Sequence, residues 1–158
     1  PKSANSLVFP DLYTKGEIEL ELVPQGTLAE RIRAGGAGVP AFYTATSVGT
    51  PLAEGKEVRN IKGRDYVLEY GLTADFALIK CLKADRYGNL IYNKTARNFA
   101  PVMAMAADVT IVQTKEFVQA GDLDPEIVAT PGIFVDQIIT VADPLLESVL
   151  VNAGEVYP

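Results

Sequence analysis

The sharpest hydrophobic pattern in the chain is Glu17-Ile18-Glu19-Leu20-Glu21-Leu22-Val23. Apolar and acidic residues alternate strictly, so Ile18, Leu20 and Leu22 fall on one face and the three glutamates on the other. That period of two predicts a half-buried strand over 17–23, ended by Pro24. Next comes Thr27-Leu28-Ala29-Glu30, a capping-box pattern that makes Thr27 the expected N-cap of a helix. Leu28 and Ile32 share a face of that helix. Gly35-Gly36 is expected to stop it after about two turns. Residues 35–51 are rich in glycine, proline and threonine and read as a long loop. Loops beyond ~12–15 residues in a compact domain are usually functional or disordered.

Further along, 56–61 and 66–70 flank Lys62-Gly63-Arg64-Asp65, the pattern of a β-hairpin with glycine in its turn. The apolar run 74–80 predicts a central strand. Asp85-Arg86-Tyr87-Gly88-Asn89 is a turn, followed by a short strand at 90–92. Residues 98–107 read as a helix with Pro101 in its first turn. Residues 109–112 form a short buried strand, and 132–141 a strand bent at Asp136-Gln137. The opening, 1–15, is turn-rich around the apolar cluster Leu7-Val8-Phe9. The tail, 143–158, has weak helical spacing at Leu145, Leu146 and Val149. Short strands alternating with few helices place the chain in the α/β class, with residues 1–142 as one domain.

Composition narrows the chemistry. The 158 residues include no histidine. Ser-His-Asp triads, Cys-His dyads and most zinc sites are thereby excluded within the chain. The single cysteine, Cys81, allows no internal disulfide and fits a reducing, cytoplasmic setting. With no histidine as base, Cys81 reads as structural. Lys+Arg number 14 against 20 Asp+Glu, and a net charge of −6 disfavours nonspecific nucleic-acid binding. No apolar run approaches the ~18 residues of a membrane span, and no signal peptide is visible. The chain begins at Pro1, as a processed protein or a segment of a longer one would.

The candidate sites follow from this. Glu17, Glu19 and Glu21 read as a solvated strand face rather than a carboxylate pair. Asp122, Asp124 and Glu126 lack the glycine and downstream glutamate of a calcium loop, so no metal is expected. Gly35-Gly36-Ala37-Gly38 only loosely resembles a phosphate cradle, and it follows a helix rather than a strand. Val23-Pro24-Gln25-Gly26-Thr27 is more informative: a strand end, a sharp turn and a helix start. Ligands of α/β sheets bind outside the carboxyl ends of strands, and helix N-termini present free N–H groups. Gln25 stands there either as a site residue or as a turn residue bonding its own loop.

Five stretches, in this order, resemble the alpha subunit of the family I CoA-transferases. They are residues 23–44 (from Val23-Pro24-Gln25-Gly26-Thr27 to Ala41-Phe42-Tyr43-Thr44), Ala74-Asp75-Phe76-Ala77-Leu78-Ile79-Lys80, Asp85-Arg86-Tyr87-Gly88-Asn89-Leu90, Ala96-Arg97-Asn98-Phe99 and Thr130-Pro131-Gly132. The similarity runs from about residue 7 to 141. The opening and Met103-Ala104-Met105-Ala106-Ala107 are most similar to the 3-oxoadipate branch.

The resemblance implies an open, mainly parallel twisted sheet with flanking helices and a β-hairpin insertion. It implies transfer of CoA from succinyl-CoA to a 3-oxo acid, through a glutamyl-CoA thioester. The nucleophilic glutamate belongs to the beta subunit, in a Ser-Glu-Asn-Gly motif absent here. A carboxylate nucleophile is ionised at neutral pH and needs no histidine, consistent with this composition. No catalytic residue is therefore expected in this chain. Gln25, Gly26, Thr27, Gly38, Tyr43 and Thr44 are the implied substrate-binding or glutamate-orienting residues. No permanent cofactor or metal is implied, only a CoA thioester as substrate. The implied partner is the beta subunit, in a heterodimer or larger assembly. The chain resembles the C-terminal two-thirds of the alpha subunit, and carries Ala45-Thr46-Ser47 where relatives usually have Pro-Thr-Gly. The competing reading is a noncatalytic small-molecule-binding or structural domain on the same fold.

Overall fold

A computed structural model of the chain describes residues 8–143. They belong to two units: Val23–Ala142, and a smaller one that contains residues 8–22 and Asp143. The tail with Leu145, Leu146 and Val149 lies outside the described residues.

In the smaller unit, helix α1 (Val8–Thr14) forms where the sequence shows mainly turn formers. Phe9 and Tyr13, one helical turn apart, stack with ring centroids 6.1 Å apart. The strand expected at 17–23 does not form. Those residues are irregular, and Leu20 and Leu22 are exposed. Alternation supplies a face but no partner. A strand persists only where a neighbour takes up its N–H and C=O groups, and among the described residues none pairs with 17–23.

The larger unit opens with helix α2 (Gln25–Gly36). It starts two residues before the expected cap. Pro24, with φ −56° and ψ 139°, occupies the N-cap position, and its carbonyl accepts the Leu28 N–H at 2.9 Å. Thr27 is thus the third helical residue and is buried. Glu30, the expected return half of the capping box, instead pairs with Arg33 at 2.7 Å. The "long loop" contains a strand, β1 (Ala41–Thr44). It runs antiparallel to β3 (Arg64–Tyr70), which also pairs with β2 (Val58–Ile61), in the order β1-β3-β2. The expected hairpin is therefore β2–β3, extended by a third strand. Its turn, Lys62-Gly63, has φ of 52° and 82°, the two positive values of a type I′ turn.

The second sheet has the order β5-β4-β6-β7. Strands β4 (Ala74–Asp85), β6 (Ala107–Val118) and β7 (Gln137–Thr140) are parallel, and β5 (Leu90–Ile91) is an antiparallel edge on β4. Helix α3 (Ala100–Ala106), with Pro101 in its first turn, lies in the crossover that the parallel neighbours β4 and β6 require. It begins later than expected because 94–97 forms a tight 3-10 turn. The stretch 132–136 is likewise a turn rather than strand, and β7 begins at the expected bend. The core lies under α3: Ala77, Ile79, Cys81, Ala84, Leu90, Ala104 and Val112. Burial raises the pKa of the Cys81 thiol, as suits a structural cysteine. The opposite face of β4 shows Phe76 and Leu78 exposed.

The two sheets meet where side chains are missing. Gly71 and Leu72 link the end of β3 to β4. The Gly71 N–H donates to Pro40 O at 2.9 Å, and the Leu72 N–H to Arg31 O at 2.7 Å. A Cβ on Gly35 would stand 2.2 Å from the Leu72 carbonyl oxygen, and one on Gly36 2.7 Å from the Met105 Cβ. The glycine pair read as a helix stop is thus inside the last turn of α2, where it lets the helix touch α3 and the inter-sheet link. Only Gly38, at φ +71° with open space around it, takes the left-handed role of a helix end.

A second constraint fixes the carboxyl end of β4. The Asp85 carboxylate is buried; its Oδ1 accepts the Tyr87 and Asn89 N–H groups at 2.9 Å, and its Oδ2 accepts Asn89 Nδ2 at 2.8 Å. The Asn89 Oδ1 then accepts the Gly132 N–H at 3.0 Å. Gly132 sits so close that a Cβ would lie 1.8 Å from the Tyr87 carbonyl oxygen. Two motifs of the resemblance, at 85–90 and 130–132, therefore clasp one another.

These geometries rank substitutions by equilibrium urea unfolding. Gly35→Ala should cost about 3 kcal/mol or more, because backbone rather than a flexible side chain must move. Gly26→Ala, on a helical residue with nothing within 4 Å of the new Cβ, should gain up to ~1 kcal/mol. Ser47→Gly should gain up to ~1 kcal/mol, since Ser47 is held at φ +74°. A Gly35→Ala protein as stable as the parent would contradict the close approach.

Asp85→Ala should cost about 3 kcal/mol, because two backbone N–H groups and the Asn89 amide lose a charged acceptor together. Tyr92 and Thr130, whose hydroxyls meet at 2.7 Å beside the clasp, provide the comparison. Tyr92→Phe should cost only about 1 kcal/mol. Equal costs for the two variants would show that the carboxylate has no special part in the turn.

Candidate functional site

The first turn of α2 is the site the sequence points to most strongly. Because Leu28 is the first residue whose N–H closes a helical bond, the N–H groups of Gln25, Gly26 and Thr27 lie in the unpaired first turn. They point out of the helix along the positive end of its dipole. Gln25 and Gly26 are exposed, and no hydrogen bond holds the Gln25 side chain among the described residues. Chemically, this is an exposed neutral amide beside first-turn N–H groups that no carbonyl of the helix takes up, suited to a carboxylate or a developing oxyanion.

Two expectations about this turn need correction. Gln25 does not follow the carboxyl end of a strand, since 17–23 is irregular, so the strand-end rule for ligand sites does not apply to it. Thr27 does not face outward as a cap. Its Oγ1 is buried and has no hydrogen-bond partner among the described residues. Thr27 is thus close to Gln25 in sequence but turned away from solvent.

The remaining residues lie beyond the other end of α2. Gly38 lies in the connection from α2 to β1, and Tyr43 and Thr44 are on β1, half-buried. Thr44 Oγ1 accepts the Thr46 N–H at 3.2 Å, which shapes the start of the 45–50 turn. No hydrogen bond among the described residues joins Gln25 to Tyr43 or Thr44. The structure connects them through the helix and the chain that follows it.

Sequence reading missed what Tyr43 touches. Its hydroxyl donates to Glu57 Oε1 at 2.5 Å, and Arg59 Nη2 donates to the same oxygen at 2.8 Å. The Arg59 guanidinium carbon lies 5.0 Å from the centre of the Tyr43 ring. The hydrogen bond to Glu57 raises the pKa of Tyr43, and its counterpart lowers that of Glu57. The only signal in the sequence was the glutamate and arginine at 57 and 59, two apart on the expected hairpin, and hence on one face.

Among the described residues, no group of three acidic or cysteine side chains is placed to hold a metal, and no helix is long and apolar enough to cross a membrane.

Known proteins resemble this chain in sequence and in fold. The family model for coenzyme A transferase matches residues 2–140. The alpha subunit of 3-oxoadipate CoA-transferase from Pseudomonas putida is 56% identical over 94% of this chain and 64% of its own length. That of Acinetobacter baylyi is 60% identical over 89% of this chain and 62% of its own. The alpha subunit of a probable succinyl-CoA:3-ketoacid coenzyme A transferase from Bacillus subtilis is 59% identical over 84% and 56%. The chain therefore spans less than two thirds of the length of each of these relatives. In fold it is similar to an acyl-CoA transferase from E. coli O157:H7, with TM-score 0.77 at 23% identity over 85% of this chain and 32% of that one. It is also similar to glutaconate coenzyme A-transferase from Acidaminococcus fermentans, with TM-score 0.73 at 19% identity over 84% and 49%. A match across nearly the whole chain, together with relatives identical at more than half of the aligned positions, means that the chain belongs to the coenzyme A transferase family.

Proposed function

We propose that the chain is part of the alpha subunit of a CoA-transferase that moves CoA from succinyl-CoA to a 3-oxo acid, with 3-oxoadipate the favoured acceptor. The relatives at 56–60% identity bear the names of 3-oxoadipate and succinyl-CoA:3-ketoacid CoA-transferase subunits, which supports both the reaction and the acceptor class. The observation that carries the reading is the exposed start of α2, where Gln25 and Gly26 present the helix N-terminus to solvent.

In the reaction proposed, the nucleophilic glutamate, supplied by the beta subunit, attacks the thioester carbonyl of succinyl-CoA. CoA thiolate leaves, and a succinyl-glutamyl anhydride remains. The thiolate then attacks the glutamyl carbonyl, releasing succinate and forming a glutamyl-CoA thioester. The 3-oxo acid carboxylate then attacks the glutamyl thioester, expelling CoA thiolate and forming a 3-oxoacyl-glutamyl anhydride, and the thiolate attacks the 3-oxoacyl carbonyl to give 3-oxoacyl-CoA and the free glutamate. This chain contributes the neutral wall of the site. Gln25 and the N–H group of Gly26 orient the glutamate or meet the oxyanion, with the buried Thr27 packed behind them, while Gly38, Tyr43 and Thr44 border the substrate. A neutral amide suits this place, because a fixed positive charge would hold the ionised nucleophile too tightly to react. We assign the transferase domain to 1–142. The working enzyme is a heterodimer or larger assembly with the beta subunit, cytoplasmic, with no permanent cofactor and with the CoA thioester as substrate.

Incubated alone with succinyl-CoA and 3-oxoadipate, the chain should form no 3-oxoadipyl-CoA. With the beta subunit present, transfer should appear. Turnover by the chain alone would place the nucleophile here and overturn the proposal; no transfer with the partner present would favour a noncatalytic domain.

In the assembled enzyme, Gln25→Ala should lower kcat about tenfold or more while thermal unfolding stays near that of the parent. An unchanged kcat with full assembly would return Gln25 to an ordinary exposed helix residue.

A further inference from the structure

Tyr43, Glu57 and Arg59 form a closed cluster across three strands. Tyr43 on β1 is opposite Leu68 on β3, and the Leu68 N–H donates to Glu57 O at 2.9 Å. Tyr43, Leu68 and Glu57 thus form one row across the sheet. Arg59 sits one step along β2 on the same face, opposite Tyr66. The Tyr43 side chain reaches over Leu68 to Glu57, and Arg59 returns diagonally over the Tyr43 ring. One carboxylate oxygen accepts from both the phenol, at 2.5 Å, and the guanidinium, at 2.8 Å.

Such a cluster contributes little to folding. The Arg59 and Glu57 side chains are 60% and 47% exposed, and water competes for every bond they make. Its effect is orientational. A lone tyrosine on a half-exposed strand face samples several χ1 rotamers. Here the hydroxyl is tied at one end and the ring covered by a cation.

We infer that Glu57 and Arg59 are positioning residues for Tyr43, holding its ring in one orientation with its proton committed to Glu57, so that it meets the substrate as a hydrogen-bond acceptor and apolar wall. This rests on the reading that places Tyr43 beside the substrate. It adds two residues, from a different strand, that neither the family motifs nor the capping pattern identified. The raised pKa of Tyr43, to which Glu57 contributes most and which Arg59 opposes, leaves the phenol protonated; Tyr70 adds to the rise, and Tyr66 and Arg64 are the further charged or titratable side chains of β3 on that face.

Two measurements test it. In the isolated chain, the Hα–Hβ couplings of Tyr43 should report one χ1 rotamer. In Glu57→Ala they should move toward averaged values, and in Glu57→Gln, which keeps an acceptor oxygen, they should stay near the parent's. Unchanged couplings in Glu57→Ala overturn the inference whatever the enzyme does. In the assembled enzyme, Glu57→Ala and Tyr43→Phe should each lower kcat/KM about five- to tenfold. The double variant should be no worse than either, and Glu57→Gln should recover to within about twofold. If the parent transfers CoA but Glu57→Ala does so equally well, the positioning role fails and the proposed function stands. If the parent with its partner shows no transfer, both fail.

Discussion

The carboxyl-terminal turn of α2 packs backbone against backbone, and the arrangement of the larger unit depends on it. Gly35 lies against Leu72, Gly36 against Met105, and Gly71 against Val39 and Gly35, each so close that a Cβ would overlap its neighbour. The flanking small residues, Ala34 and Ala104, are almost completely buried. This contact joins three things at once: the helix, the crossover helix α3, and the short link between the antiparallel and parallel sheets. Close packing of this kind has no adjustable side chain to absorb a change. It therefore fixes the direction of α2, and with it the position of the exposed amide at the other end.

A rigid base and an open end is a common division of labour at binding sites, where a scaffold positions groups that water can still reach. In this chain the base consists of glycine and alanine, and the open end is Gln25 with its unpaired N–H groups. The Asp85 clasp has a related part in the parallel sheet. It ties the turn after β4 to Gly132, so that β5 and the turn before β7 are held together at one end of that sheet. Neither device supplies a nucleophile.

Local pattern was enough for the presence of the hairpin, β4, β6, the turn at 85–89 and α3, but not for the length of the strands: β4 runs on to Asp85 and β6 from Ala107 to Val118, well beyond the apolar runs 74–80 and 109–112, because each extends along the other's ladder. In each case the signal is a short period or a turn glycine whose meaning does not depend on distant residues. The failures have a shared cause. The alternation at 17–23 had a face but no neighbouring strand among the described residues. The capping box at Thr27 was overridden by Pro24, which starts the helix earlier. The strand β1 was hidden in a glycine-rich stretch because β3, more than twenty residues away, supplies its ladder. Gly35 and Gly36 looked like a helix stop, whereas their actual constraint, like that of Gly71 and Gly132, is a long-range contact. Gln25 stood out locally, at a sharp turn before a helix start, whereas Gly38, Tyr43 and Thr44 were named only through resemblance, and the link from Tyr43 to Glu57 depended on a register that no local window contains.

Native-state amide hydrogen exchange at Leu72 tests the junction most directly. Its N–H donates to Arg31 O across the contact between α2 and the inter-sheet link. If the junction is part of the cooperative core, the Leu72 amide opens only with global unfolding and exchanges as slowly as that of Val112 in the middle of the parallel sheet. Exchange at Leu72 as fast as at Gly63, in the exposed hairpin turn, would show that α2 opens independently and that the glycine contact does not fix the site.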